Sequence, residues 1–216
     1  LIKRIKGKIR KSNKLEINGL ECIRDNRPIF KDINFSVKSN QTMLVRGKNG
    51  SGKTSLLRVL AGYIKNYSGN ILFNGNNIKN DKELLSEFRF LGQKNTLKGN
   101  LSVQQNIAMW ELIYQVKSDT NEISKILNIE QILNVDINSL SDGQKKRISL
   151  ARLIISNAKV WLLDEPLVYL DQEKIDLLQN IILRHNKRGG ITIYSSNTNI
   201  NLEYDSSIIM DDYVVL

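Results

Sequence analysis

The residues that most constrain this chain are Gly47-Lys48-Asn49-Gly50-Ser51-Gly52-Lys53-Thr54, a complete G-x-x-x-x-G-K-[ST] pattern. Residues 43–46 before it have the composition of a strand and residues 54–60 after it that of a helix, the context in which this pattern cradles phosphates. The glycines let consecutive backbone N–H groups turn inward, and the helix N-terminus adds the positive end of its dipole. Lys53 supplies a mobile cation for the β- and γ-phosphates of a nucleotide, Thr54 offers a hydroxyl to Mg²⁺, and Ser55 completes the set at the helix start. A glycine-rich turn that binds nothing would not be expected to fill every fixed position between a strand and a helix.

A second signal is Val160-Trp161-Leu162-Leu163-Asp164-Glu165. Four apolar residues predict a buried parallel strand, and the two acids emerge at its C-terminal end, where open α/β sheets bind ligands. Asp164 is placed to hold Mg²⁺, directly or through water. Glu165 is placed to polarise an attacking water as a general base. Alone, these could be solvated acids at a strand end; beside an intact phosphate loop the catalytic reading prevails.

Between and around these motifs the pattern is mixed α and β. Strands are expected at 15–17, 33–37, 43–46, 70–73, 88–92, 160–163 and 191–194. Asn74-Gly75 predicts a hairpin turn. Helices are expected at 54–60, across much of 102–134, from 141 onward and over 171–185, the last ending at Gly189-Gly190. Ser102 with Gln105, and Ser141 with Gln144, fit capping boxes. Strands alternating with helices imply a largely parallel sheet covered on both faces. At 216 residues the chain suits one compact domain. No apolar run approaches the roughly 20 residues of a membrane-spanning helix. The single cysteine, Cys22, excludes an intrachain disulfide framework and a Cys-rich zinc site.

The charge pattern is less informative than its total suggests. There are 32 Lys and Arg against 22 Asp and Glu, a net +10, which alone would suggest an anionic partner. Seven of the cations (Lys3, Arg4, Lys6, Lys8, Arg10, Lys11 and Lys14) fall in residues 1–14, which contain no acid. This stretch is expected to be a solvated basic tail. Ile2, Ile5 and Ile9 give it helical spacing that Gly7 interrupts, so a short membrane-touching helix is the alternative. The chain is also rich in residues with A/T-rich codons, 28 Ile, 25 Asn and 21 Lys, so part of the basicity reflects base composition. That composition suits an organelle genome or a reduced bacterium, with the mitochondrion preferred. No basic stripe interleaved with aromatics is present, and no nucleic-acid partner is expected.

The order of these motifs resembles that of ATP-binding cassette (ABC) ATPases. Leu140-Ser141-Asp142-Gly143-Gln144 is similar to their LSGGQ signature, and Gln93 matches their Q-loop glutamine. The resemblance implies a P-loop NTPase of the α/β class: a mostly parallel sheet, an antiparallel β part and a helical subdomain at about 94–155, within one domain over 15–216. It also implies that Ser141, Gly143 and Gln144 act in trans on the γ-phosphate held by a second cassette. A homodimer sandwiching two ATP molecules is the form implied. Gln93 would touch the metal and γ-phosphate and link them to a membrane partner. Within the family the chain most resembles the cassette of the cytochrome c maturation, haem-exporter system. Residues 20–30 are similar to that subfamily's short charged segment in place of an aromatic adenine platform. Integral membrane permease subunits, ATP and Mg²⁺ are the implied partners and cofactors. The implied location is the inner face of a bacterial or mitochondrial inner membrane. Nothing in the chain is suited to binding haem directly: there is no C-x-x-C-H.

Three positions depart from the family pattern. No aromatic precedes the P-loop, so Ile23 or Arg24 is expected to contact adenine. The loop after the second motif contains Val168-Tyr169-Leu170-Asp171, with a bulky Tyr169. Ser196 occupies the position of the family's switch histidine, which implies slower hydrolysis. A nucleotide-binding regulatory subunit without hydrolysis and the ATPase of another exporter are the alternative functions. The only histidine, His185, is expected to be a polar residue in the last turn of a helix.

Overall fold

The computed structural model describes residues 12–24, 27–168, 170–197 and 202–214. The expected basic tail lies outside the described residues except for positions 12–14, as does Tyr169. Lys14 already opens the first strand, and Asn13 N–H donates to Ser39 Oγ at 2.7 Å.

Two sheets organise the molecule. β1 (Lys14–Arg24), β2 (Arg27–Lys38), β4 (Tyr67–Phe73) and β5 (Asn76–Asn77) form an antiparallel sheet in the order β2-β1-β4-β5. β1 and β2 are longer than the sequence pattern suggests. Their alternation is broken around Gly19 (φ +57°), where the register shifts between Ile17 and Leu20, a bulge that glycine accommodates in the left-handed region. Asn74 and Gly75 both have positive φ (54° and 84°), so the expected Asn-Gly turn joins β4 to β5.

The second sheet is parallel throughout, in the order β6 (Phe88–Leu91), β7 (Val160–Leu163), β8 (Ile191–Ser196), β3 (Thr42–Arg46), β9 (Ser206–Ile209). Strand alternation divides its side chains between two cores. Val160 and Leu162 join Met43, Val45 and the helix α1 (Lys53–Leu60) on the face toward the antiparallel sheet. Trp161, Leu163, Leu44 and Tyr194 join the helical side on the other. Each fully buried Leu or Ile contributes about 1.5–3 kcal/mol, and strands sealed on both faces explain the unbroken apolar run at 160–163.

The helical side comprises α3 (Val103–Tyr114), α4 (Thr120–Leu127) and α5 (Asp142–Ile155), with α6 (Gln172–Lys187) following β7. These helices share one hydrophobic cluster with the parallel sheet. Both expected capping boxes form: Ser102 with Gln105 starts α3, and Ser141 with Gln144 starts α5. Buried Asn106, not singled out by pattern, accepts from Lys98 N–H at 2.9 Å and donates to Lys98 O at 3.1 Å, tying the approach segment to α3.

Two short elements are not apparent from the sequence pattern: α2 (Lys82–Ser86), capped by Asp81, and the edge strand β9. A five-residue helix and a mostly exposed strand carry little periodicity. His185 sits in the last turn of α6, as expected, and it is packed against a strand residue. Its ring lies flat on Trp161, with centroids 3.8 Å apart and planes 6° from parallel. Burial pushes its pKa down to about 4, although the Ile191 carbonyl 3.3 Å from Nε2 favours the protonated form.

Candidate functional site

The loop of residues 47–52 leaves the C-terminal end of β3, the central member of the β8-β3-β9 trio, and enters α1. Its backbone depends on glycine at two crowded points. Gly47 has φ +147°, and a Cβ there would lie 2.4 Å from Ser51 Oγ; Gly52 has φ +91°, and a Cβ would meet Ile29 at 2.9 Å. Larger residues would have to displace the loop.

Lys53 is 4% exposed, and its ammonium donates to Gly47 O at 2.7 Å and Lys48 O at 2.9 Å. The loop's own carbonyls thus hold the cation in place. Ser51 Oγ is buried without a hydrogen-bond partner among the described residues, an unmet polar group of the kind a bound phosphate oxygen satisfies. From the C-terminal 3₁₀ turn (Met210–Tyr213), Asp211 Oδ2 accepts from Lys48 N–H at 3.1 Å, and fully buried Met210 packs behind Gly47.

The two acids sit where the apolar strand ends. Asp164, 3% exposed, accepts from Thr54 Oγ1 at 2.9 and 3.0 Å. It also accepts from Ser195 Oγ at 2.9 Å, and the same Ser195 oxygen accepts from Glu165 N–H at 2.9 Å. Ser195 is wholly buried, so one hydroxyl joins the backbone of one acid to the carboxylate of the other. Glu165 has φ +47°, the left-handed region that non-glycine residues enter at a cost and mostly at functional sites. On α5, the Lys146 ammonium is desolvated, which lowers its pKa, while the charge of Asp164 opposes that shift. Neither Ser195 nor Lys146 stands out in the sequence; Ser195 is signalled only by its place near the end of an apolar strand that pairs beside both motifs.

A cleft of about 400 Å³ collects Lys53, Thr54, Ser55, Gln93, Glu165 and Asn197, with Gly50 and Gly52 in its wall. Gln93 follows β6 and also lines an adjoining cleft with Asp164 and Arg152, so the expected glutamine stands between the two. Ile29, not Ile23, is the apolar residue lining the P-loop cleft, while Ile23 is half-exposed on β1. Ser196, expected at the position of the switch histidine, is 5% exposed and belongs to β8; its neighbour Asn197 reaches the cleft, where its amide donates to Asn49 Oδ1 at 2.9 Å.

Ser141, Gly143 and Gln144 do not line this cleft. They form the first turn of α5, where Gln144 N–H donates to Ser141 Oγ at 3.3 Å and Ser141 N–H to Gln144 Oε1 at 2.9 Å. Among the described residues no cluster of three or more His, Cys, Asp or Glu could hold a metal. A single carboxylate with a threonine hydroxyl is an oxygen donor set that fits Mg²⁺ carried in with a triphosphate.

A family model described as ABC transporter matches residues 30–168. The chain is similar to the cytochrome c biogenesis ATP-binding export protein CcmA of Wolbachia pipientis wMel, 38% identical over 185 residues, which is 85% of this chain and 89% of that protein. The protein of the same description from Reclinomonas americana is 32% identical over 93% of this chain and 92% of its own length. ABC transporter I family member 1 of Arabidopsis thaliana is 32% identical over 88% and 84%. Among solved structures, a putative ABC transporter ATP-binding protein from Pyrococcus furiosus superposes with a TM-score of 0.82 at 28% identity, covering 94% of this chain and all of that one.

Proposed function

Because this chain belongs to the ABC transporter family, we propose that it is the ATP-binding and hydrolysing subunit of a membrane ABC complex serving cytochrome c maturation. The relatives described as cytochrome c biogenesis export proteins, matched along most of their length, support that assignment. Among the described residues no helix is long and apolar enough to cross a membrane. The proposed role is on integral permease subunits at the inner face of a mitochondrial or bacterial inner membrane.

The observation that carries the catalytic part is the chain of contacts Thr54–Asp164–Ser195–Glu165 beside Lys53. In this reading the loop amides and Lys53 bind the β- and γ-phosphates of ATP. Thr54 and Asp164, with Gln93, would hold Mg²⁺, which would neutralise charge on the phosphates. Glu165 orients the attacking water and accepts its proton, and Gln93 positions the same water. Ser141, Gly143 and Gln144 do not line their own chain's cleft, which supports their acting on the ATP of a second copy. A capped helix N-terminus with glycine provides the amides and dipole for that task.

The test is replacement of the native protein by Lys53→Ala in cells that depend on it. The predicted result is loss of mature c-type cytochromes with normal levels of the membrane subunits. Normal cytochrome maturation by a variant shown not to bind ATP would overturn the proposal.

A further inference from the structure

At the end of β7 opposite Asp164, a half-open cavity of about 90 Å³ lies between the C-terminal ends of α5 and α6. Its wall combines features that ATP turnover does not use. Trp161 is 4% exposed, and its indole Nε1–H is buried without a hydrogen-bond partner among the described residues. A buried donor left unmet costs stability, so such groups normally find an acceptor. The same indole stacks on His185, which burial holds neutral. The wall there combines this uncharged ring pair with the apolar side chains of Leu153, Ile154 and Ile181.

Three cations, Lys159, Arg184 and Arg188, line the same cavity. None forms an ion pair with a carboxylate among the described residues. The combination asks for a ligand that is apolar at one end and anionic at the other and that offers an acceptor to a buried N–H. A bare phosphate would leave the aromatic wall unfilled, and a neutral hydrocarbon would leave the cations and the indole unpaired. An apolar cavity of about 150 Å³ takes up a whole benzene ring, so about 90 Å³ admits part of one ring, with the remainder at the open mouth.

The geometry points to a binding site for a small carboxylate whose apolar body is no larger than one aromatic ring. Its body packs against Leu153, Ile154 and Ile181 beside the Trp161–His185 pair, and its carboxylate oxygens accept from Trp161 Nε1–H, Arg184 and Arg188. The fork of an arginine side chain suits a carboxylate in two-point contact.

Benzoate is the probe, and benzyl alcohol its neutral counterpart. The chain has two tryptophans, so Trp110→Phe leaves Trp161 as the only indole reporter. Benzoate is expected to change Trp161 fluorescence saturably, and benzyl alcohol to give no saturable change. Arg184→Ala with Arg188→Ala is expected to weaken benzoate binding at least tenfold. Both arginines are exposed and lie outside the P-loop cleft, so this double variant keeps its fold and its ATP turnover. Titration calorimetry on the wild-type chain, with the same ligands and double variant, makes the same comparison should Trp110→Phe misfold. Quenching that rises linearly without saturation, or binding unchanged in the double variant, would overturn the assignment and leave the cavity to water.

Discussion

Replacing Ser195 by alanine removes one oxygen and two hydrogen bonds at the junction of the two acids. Both bonds are 2.9 Å long, and the residue is wholly buried. Leaving the Glu165 N–H unsatisfied costs about 1–3 kcal/mol, and losing a donor to the Asp164 carboxylate about 1.5–3 kcal/mol. With partial relaxation the net destabilisation is about 3 kcal/mol, or roughly 6–12 °C in Tm for a chain of this size. The effect on turnover is larger than stability alone implies. Glu165 occupies a left-handed backbone conformation that this hydroxyl fixes, and displacement of a reacting group by about 1 Å costs about a hundredfold in rate. The assay is phosphate release by the cassette assembled with its membrane partner, at a temperature where the variant is folded. Ser195→Ala should lower kcat about a hundredfold while KM for ATP stays within a few-fold, because Lys53 and the loop amides are untouched. Ser195→Thr, which keeps the hydroxyl, should recover most of kcat. A Ser195→Ala variant with kcat within twofold of wild type would refute the positioning role.

Other outcomes follow from the same structure. Asn197→Ala removes the amide that reaches the cleft beside buried Ser196, and it should slow turnover more than Ser196→Ala does in a paired kinetic comparison. Gly190→Ala would place a Cβ 2.2 Å from His185 Nε2 in a ring pinned against Trp161; overpacking of this kind costs about 1–3 kcal/mol, visible as a lower Tm in thermal unfolding. His185 is held neutral with a pKa of about 4, against an ordinary value near 6.5. Because its folded-state pKa is depressed, its contribution is fully present above about pH 6.5 and is lost as pH falls toward 4, by about 3 kcal/mol in total. Denaturant midpoints measured across that window should drop with acid, and His185→Phe should flatten the drop.

The sequence was most legible where chemistry and backbone demands coincide. The eight residues from Gly47 to Thr54 admit one local structure, and β7 appears with its expected bounds because a strand sealed on both faces must be apolar throughout. The two capping boxes were equally plain, since each satisfies helix-end amides with neighbours in sequence. The features that the sequence does not display depend on distant chain segments. The Ser195 hydroxyl becomes meaningful only when parallel pairing brings β8 beside β7. The stacking of His185 on Trp161 joins a helix end to a strand start across 24 positions. Ile29 reaches the cleft because the antiparallel sheet folds against the P-loop. The edge strand β9 is mostly exposed and so carries no apolar pattern.

Hydrolysis of ATP by this chain, with Glu165 as the group that orients water, is tested most directly by comparing wild type with Glu165→Gln. Both are assembled with the membrane partner and measured for ATP turnover and for the dimer formed on ATP. Glu165→Gln is expected to bind ATP as tightly as wild type, to accumulate as an ATP-bound dimer and to show no turnover above background. A wild-type rate no faster than that of Glu165→Gln would contradict the assignment.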